Sequence, residues 1–442
     1  MTGQLAFVES PVQLLNVLEW AHTQAPATGA PSAAPAGADG PAEAVPAGAV
    51  TTAPDSADAG AVTTAPEPAD AGAVTTAPEP ADAGAVTTAP DCADAGASVR
   101  APRSTNAAQG AARPAPALTV VVLSPTDPMS RGQLRRMAQL ARDEGLTVHW
   151  QEARGGRGAL VRTLRELARP LRSAERVIIG DPFSRYVQLL LTLFAPRHLT
   201  VVDDGTATME YAAQVGRGER LVRWHRRNSG LDPRELVLAP VSLLARKRLA
   251  PTSGRTVEIF TSLPVEVPEG ITVTENSYAW TRARFGPPLL TGGADLVGTS
   301  LVETGVVDAA HYDRVVAELA RTHGATRYFA HRRESAEKLH RIAVETGLQV
   351  VRPELPLELI ARRGPIGRTV VSFPSTVVHT LPLALAGTGV KVAVCEISPE
   401  WLRATASPRA QGFLSGVTGT AAHEVDRLTS RAATQTDRLE FG

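Results

Sequence analysis

The chain has 442 residues, but positions 22 to 117 are almost wholly Ala, Pro, Gly, Thr and Asp or Glu; setting those 96 aside leaves 346, the size of two mixed domains. A formal net charge of zero hides an imbalance, because residues 22 to 99 hold ten carboxylates and neither Lys nor Arg, leaving 45 basic groups against 35 acidic ones elsewhere. Such a body attracts anionic substrates or an anionic membrane surface, whereas two cysteines exclude a disulfide framework, no stretch reaches the roughly 20 apolar residues of a membrane span, and no motif for reading nucleic acid is present.

Leu5 to Glu9 reads as a first strand and Val12 to Trp20 as a first helix. The leading residues have no basic region and place Glu9 where a signal peptide needs apolar side chains, so a reducing cytoplasm is expected. A twelve-residue repeat then begins at Ala47, Ala59, Ala71 and Ala83, with a fifth copy failing after Ala97. Each copy offers one Val, too little to offset roughly 1 to 2 kcal/mol of backbone entropy per residue, so residues 22–117 read as a disordered acidic insertion. Loop closure costs little more as a loop lengthens, which makes an insertion before the second strand tolerable.

From residue 118 strands and helices alternate regularly, with strands at Leu118 to Leu123, Leu146 to Gln151, Arg176 to Gly180 and His198 to Asp203. Ser130 and Gln133 have the spacing of a capping box. A Gly/Pro-rich break spans Phe285 to Gly293, and strands follow at Asp295 to Gly298, Thr326 to Ala330, Leu348 to Val351, Thr369 to Phe373 and Val390 to Cys395. The expected fold class is α/β, two Rossmann-like domains facing a central cleft: residues 1–21 with 118–285, then 294–420, with a tail at 421–442. No Gly-x-Gly-x-x-Gly follows either first strand, which argues against a nicotinamide or flavin site.

In open parallel sheets ligands bind beyond the carboxyl ends of the strands. Asp203 and Asp204 end one strand, and Gly205 allows the sharp turn that aims a carboxylate into the cleft as a general base, an effect typically worth 10² to 10⁴ in rate. His331 follows another strand, where an imidazole can donate to a phosphate. Ser375 and Thr376 open a helix, and their hydroxyls suit an anion, although a plain helix N-cap would equally account for Ser375. Glu358 has the chemistry to accept from a ribose diol; Glu9, Ser10 and Gln13, and likewise Gly298 and Thr299, face the same cleft from the two halves. The run Arg217, Arg220, Arg223, His225, Arg226 and Arg227 reads as a solvated face or as a track for an anionic acceptor chain.

Together, Asp203-Asp204-Gly205, His331 and Ser375-Thr376, with the Glu9-Ser10-Pro11-Val12-Gln13 start, resemble the bacterial sialyltransferase family that includes polysialyltransferases and lipooligosaccharide sialyltransferases. The likeness covers residues 1–21 and about 118–400, and it departs at Arg332, which stands where the family has proline in its His-Pro motif. The resemblance implies a GT-B fold and an inverting, metal-independent glycosyltransferase. It implies a CMP-activated sialic acid or related nonulosonic acid as donor, with no further cofactor, and a glycan hydroxyl as acceptor. By this likeness Asp203 is the general base, with Asp204 beside it, and His331, Ser375 and Thr376 hold the donor phosphate; Arg332, at the departure, adds charge suited to that phosphate. Glu358 then takes the ribose, Gly298 and Thr299 border the nucleotide, and Glu9, Ser10 and Gln13 meet the acceptor. Two other readings stand beside it: a CMP-donor phosphotransferase of teichoic-acid polymerase type, and a non-catalytic glycan-associated scaffold tethered by the repeat. The expected location is the cytoplasm, with peripheral contact at the inner face of the membrane and no nucleic-acid partner.

Overall fold

Apolar runs without polar alternation need cover on both faces, which a parallel sheet between helical layers supplies. The computed structural model describes residues 3–24, 118–154, 156, 158–223, 233–403, 414 and 426–428, and in it these runs build two wholly parallel sheets. The first contains β1 (Gly3–Val8), β2 (Leu118–Leu123), β3 (Thr147–Gln151), β4 (Ala174–Ile179), β5 (His198–Val202), β6 (Thr256–Thr261) and β7 (Ile271–Glu275), in the order β3-β2-β1-β4-β5-β6-β7. The second contains β8 (Leu290–Val297), β9 (Ala325–Phe329), β10 (Gln349–Val351), β11 (Ile366–Ser372), β12 (Lys391–Cys395) and β13 (Asp426–Leu428), in the order β10-β9-β8-β11-β12-β13. The expected α/β class of two Rossmann-like halves is present. Strand order reverses between β1 and β4 and between β8 and β11, the positions at which such sheets open crevices for ligands.

Side-chain alternation explains the double cover. Leu5, Phe7, Val121, Leu123, Val177 and Ile179 enter one core, while their neighbours Ala6, Val8, Val120, Val122 and Ile178 enter the other. Each such burial contributes about 1.5–3 kcal/mol for a large apolar side chain. Helices α1 (Pro11–Gln24), α2 (Pro128–Asp143), α3 (Ala159–Ser173), α4 (Arg185–Leu193), α5 (Thr206–Gly216) and α6 (Pro233–Arg248) surround the first sheet. A short α7 (Ala279–Arg284) precedes the second sheet, with its α8 (Ala309–His323), α9 (Ala336–Thr346), α10 (Leu357–Arg363) and α11 (Val377–Ala384).

The halves share one core. Leu355, Leu359 and Ala384 join Leu14, Leu18, Tyr278 and Trp280 in a single buried cluster. Glu19 on α1 accepts the backbone N–H groups of Trp280 and Thr281 at 2.8 and 2.9 Å, satisfying the donors at the buried start of α7. Arg282 then donates to the Leu383 carbonyl at 2.8 Å, tying α7 to the end of α11.

Several expectations change. Helix α2 is capped by Asp127, which accepts from the Ser130 N–H at 2.7 Å, and Gln133 instead donates to the Pro353 carbonyl at 2.6 Å in the other half. Strands β6 and β7 lie between Asp203 and the Gly/Pro-rich break, where no strand was expected; Glu258 interrupts the apolar pattern there and is satisfied by Arg176 at 3.0 Å and by the Thr200 and Thr274 hydroxyls. The second sheet starts at Leu290 and includes β13, so it begins before residue 294 and runs past residue 420 into the segment expected to be a tail. The repeat lies outside the described residues. Among the described residues no helix is long and apolar enough to cross a membrane.

Candidate functional site

The turn after β5 aims two adjacent acids in opposite directions. Gly205 adopts φ 67° and ψ −128°, a conformation that side chains with a Cβ resist, and its N–H returns to Asp203 Oδ1 at 2.9 Å. Asp203 is 2% exposed, and its other oxygen accepts from the Thr261 hydroxyl at 2.9 Å. Burial pushes its carboxyl above the usual range, with hydrogen bonds from Thr208 and Thr261 among the effects opposing the rise. Asp203 is thus held within the turn by both of its oxygens.

Asp204 keeps partial access, receives the Ser10 hydroxyl at 3.2 Å, and lies 3.7 Å from the Arg223 guanidinium. Burial and the nearby charge of Asp181 raise its pKa to about 7, against the lowering pull of Arg223, Gln13 and Arg332. A carboxylate with a pKa near neutrality is matched to taking a proton from a hydroxyl.

The expected acceptor residues divide. Glu9 pairs with Arg154 at 2.6 Å and with the Ser184 hydroxyl, and it lines a cavity of about 360 Å³ with Asp181, Phe183, Tyr186, Arg220 and Arg223. Arg223 joins that cavity to the acid turn, bonding Asp181 at 2.7 Å. Gln13 is 2% exposed and accepts the Glu9 N–H at 2.7 Å, which holds it inside the turn after β1. Arg217 pairs with Glu219, whereas His225, Arg226 and Arg227 of the basic run lie outside the described residues.

From the second sheet, His331 follows β9. Its Nδ1 accepts the Arg333 N–H at 3.2 Å, so its proton sits on Nε2 and is available to donate. Burial, then Arg332, Arg333 and Lys338, push its pKa down to about 4, leaving the ring neutral at ordinary pH. Beneath it is a network that the sequence did not announce. Glu334 accepts the His331 N–H at 2.6 Å, the Tyr328 hydroxyl at 2.6 Å and the Lys338 ammonium at 2.7 Å. Glu334 stands three residues after His331, the spacing of a capping interaction, and that was the available signal.

Ser375 and Thr376 open α11 without capping it, since neither hydroxyl bonds a helix N–H, and both stay partly accessible. Thr376 lies directly against the acid turn: a Cβ on Gly205 would be 3.2 Å from its Oγ1. Arg332 reaches back to the Ser130 hydroxyl at 3.5 Å, and Asp204 and Arg223 both act electrostatically on Arg333. One small region thus gathers Asp204, Arg223, His331, Arg332, Arg333 and Thr376.

The three other residues expected at the donor are buried. Glu358 is 5% exposed and accepts from Thr380 at 2.6 Å within the junction of the halves. Gly298 packs so closely on Glu334 and Tyr328 that any side chain would collide with them. Thr299 is buried, and its carbonyl accepts Lys338 Nζ at 3.1 Å.

No family model matches this chain, and no curated protein matches it in sequence. Solved structures do. The chain is similar to an alpha/beta-galactoside alpha-2,3-sialyltransferase from the luminous marine bacterium Photobacterium phosphoreum, at 11% identity over 71% of this chain and 91% of that one, with a TM-score of 0.38. It is also similar to Os79 from O. sativa in complex with UDP, at 13% identity over 72% and 81% of the two chains with a TM-score of 0.34, and to Acinetobacter baumannii MurG, at 11% over 70% and 77% with a TM-score of 0.30. Likenesses this distant have no bearing on the chemistry.

Proposed function

We propose that the protein is an inverting glycosyltransferase of GT-B type that moves sialic acid, or a related nonulosonic acid, from its CMP-activated form to a glycan hydroxyl. The observation that carries this reading is the meeting of a near-neutral carboxylate, Asp204, with an anion-binding set from the other half, His331, Arg332, Arg333 and Thr376.

In the proposed step the acceptor hydroxyl lies in the cavity edged by Glu9 and Arg223. Asp204 takes its proton as the new glycosidic bond forms at the anomeric carbon. The bond from that carbon to the CMP phosphate breaks on the opposite face, and its electron pair leaves on the phosphate oxygen. His331 donates through Nε2–H to that oxygen, the hydroxyls of Ser375 and Thr376 add donors, and the arginines offset the growing charge. Hydrogen bonds to charged groups contribute about 1.5–3 kcal/mol each, so this set supplies several powers of ten in rate.

The test is incubation with CMP-sialic acid and a panel of galactosylated and sialylated acceptors, following free CMP. Acceptor-dependent release is expected, with Asp204→Asn lowering turnover by about 10² to 10⁴ while CMP still binds. Near-normal turnover in that variant would sink the mechanism, and a phosphodiester in the product would show the phosphotransferase chemistry instead.

A further inference from the structure

We infer that the helical face formed by α3, α4 and α6 docks on an anionic lipid surface. Helix α3 buries Ala159, Thr163, Leu167 and Leu171 against the first sheet. Arg162, Arg165, Arg169 and Arg172 recur at intervals of three, four and three residues, which places them in one stripe on the opposite, exposed side. None of the four has a carboxylate partner among the described residues; Arg172 lies over the Phe194 ring at 5.5 Å, linking the ends of α3 and α4.

Apolar side chains accompany this charge. Among the described residues eight large hydrophobics are exposed, and five of them belong to these three helices: Val161 (50%), Leu160 (38%), Leu193 (56%), Leu243 (42%) and Leu244 (40%). Helices α4 and α6 pack against each other, and α6 ends in Arg246, Lys247 and Arg248. Single exposed leucines are ordinary, but five of the eight exposed hydrophobics on three helices, one of which carries an arginine stripe without carboxylate partners among the described residues, are the composition of an interfacial surface. A soluble polyanion would use the arginines alone and leave the leucines and valine without a role. The lipid surface uses both, because phosphate headgroups meet the guanidinium groups while the apolar side chains enter the acyl boundary.

Co-sedimentation of the full chain with vesicles tests this. Vesicles of phosphatidylcholine with phosphatidylglycerol should capture the protein at low salt, and vesicles of phosphatidylcholine alone should not. Arg165→Gln and Arg169→Gln should each weaken capture about fivefold, while Arg165→Lys retains it, since a diffuse lipid charge needs no forked donor. Val161→Ser combined with Leu193→Ser should weaken capture at every salt concentration. Thermal unfolding of each variant confirms that it is folded. The inference is overturned by absent capture on phosphatidylglycerol vesicles, by capture indifferent to the arginine variants, or by loss confined to the arginine variants together with heparin binding, which would identify a polyanion track.

Discussion

Two adjacent aspartates with one sequence context acquire opposite fates because a single glycine turn points one inward and the other at the cleft. Asp203 stabilises the turn; Asp204 carries a proton affinity near neutrality. Activity should therefore rise with pH and level off above about 7, as Asp204 ionises. Asp181→Asn removes the charge that opposes this ionisation and frees Arg223 to lower the pKa further, so the rising limb should move to lower pH in a profile of kcat/KM. Stability follows with its own sign. A carboxyl whose folded pKa exceeds its unfolded value contributes stability that is full below the unfolded pKa, about 4, and is lost as pH rises through the folded value, about 7. Asp204→Asn should thus be more stable than the parent at pH 8, by on the order of 2–4 kcal/mol in denaturant unfolding, with the difference vanishing near pH 4. An equal difference at both values would show that Asp204 is not charged at a cost in the folded protein.

At the scale of elements, the loop after β9 is held from below. Glu334, Lys338, Tyr328 and Tyr312 form a buried chain, with the two phenol oxygens 2.7 Å apart, and its free upper end is the His331 backbone. Gly298 at the end of β8 leaves the space this chain occupies. Gly298→Ala should cost about 1–3 kcal/mol by crowding and should raise the KM for donor more than it changes acceptor KM, because the displaced segment carries His331, the residue proposed to hold the donor phosphate. Equal effects on both constants would separate this network from His331. The sequence marked the strand ends where these loops begin, since runs such as Thr369 to Phe373 are short, rich in β-branched residues and followed by turn residues. It did not mark β6 and β7, where Glu258 and the polar face of Ile271–Glu275 mask the apolar periodicity.

For the molecule as a whole, the two sheets are not independent beads. Leu359 of the second half is fully buried among residues of the first. Leu359→Ala should cost about 2–5 kcal/mol, and calorimetry should show one transition moving as a unit, since the removed contacts belong to both halves. Two separated transitions would show that each half folds on its own core. Gln133, read as a local cap, acts at this scale by reaching the Pro353 carbonyl, and Arg136 pairs with Glu354 at 3.0 Å beside it. Sequence spacing carries no information about such partners, which lie more than two hundred residues apart.

Local pattern by itself determined that the chain builds two parallel sheets and that acids, an imidazole and hydroxyls stand at strand ends, because apolar period and turn chemistry are properties of neighbouring residues. Tertiary structure alone decided which of those groups remain accessible. Burial took Asp203 and Glu358 into hydrogen bonds made across the fold and left Asp204, His331 and Thr376 partly accessible, an outcome set by packing between segments distant in the chain.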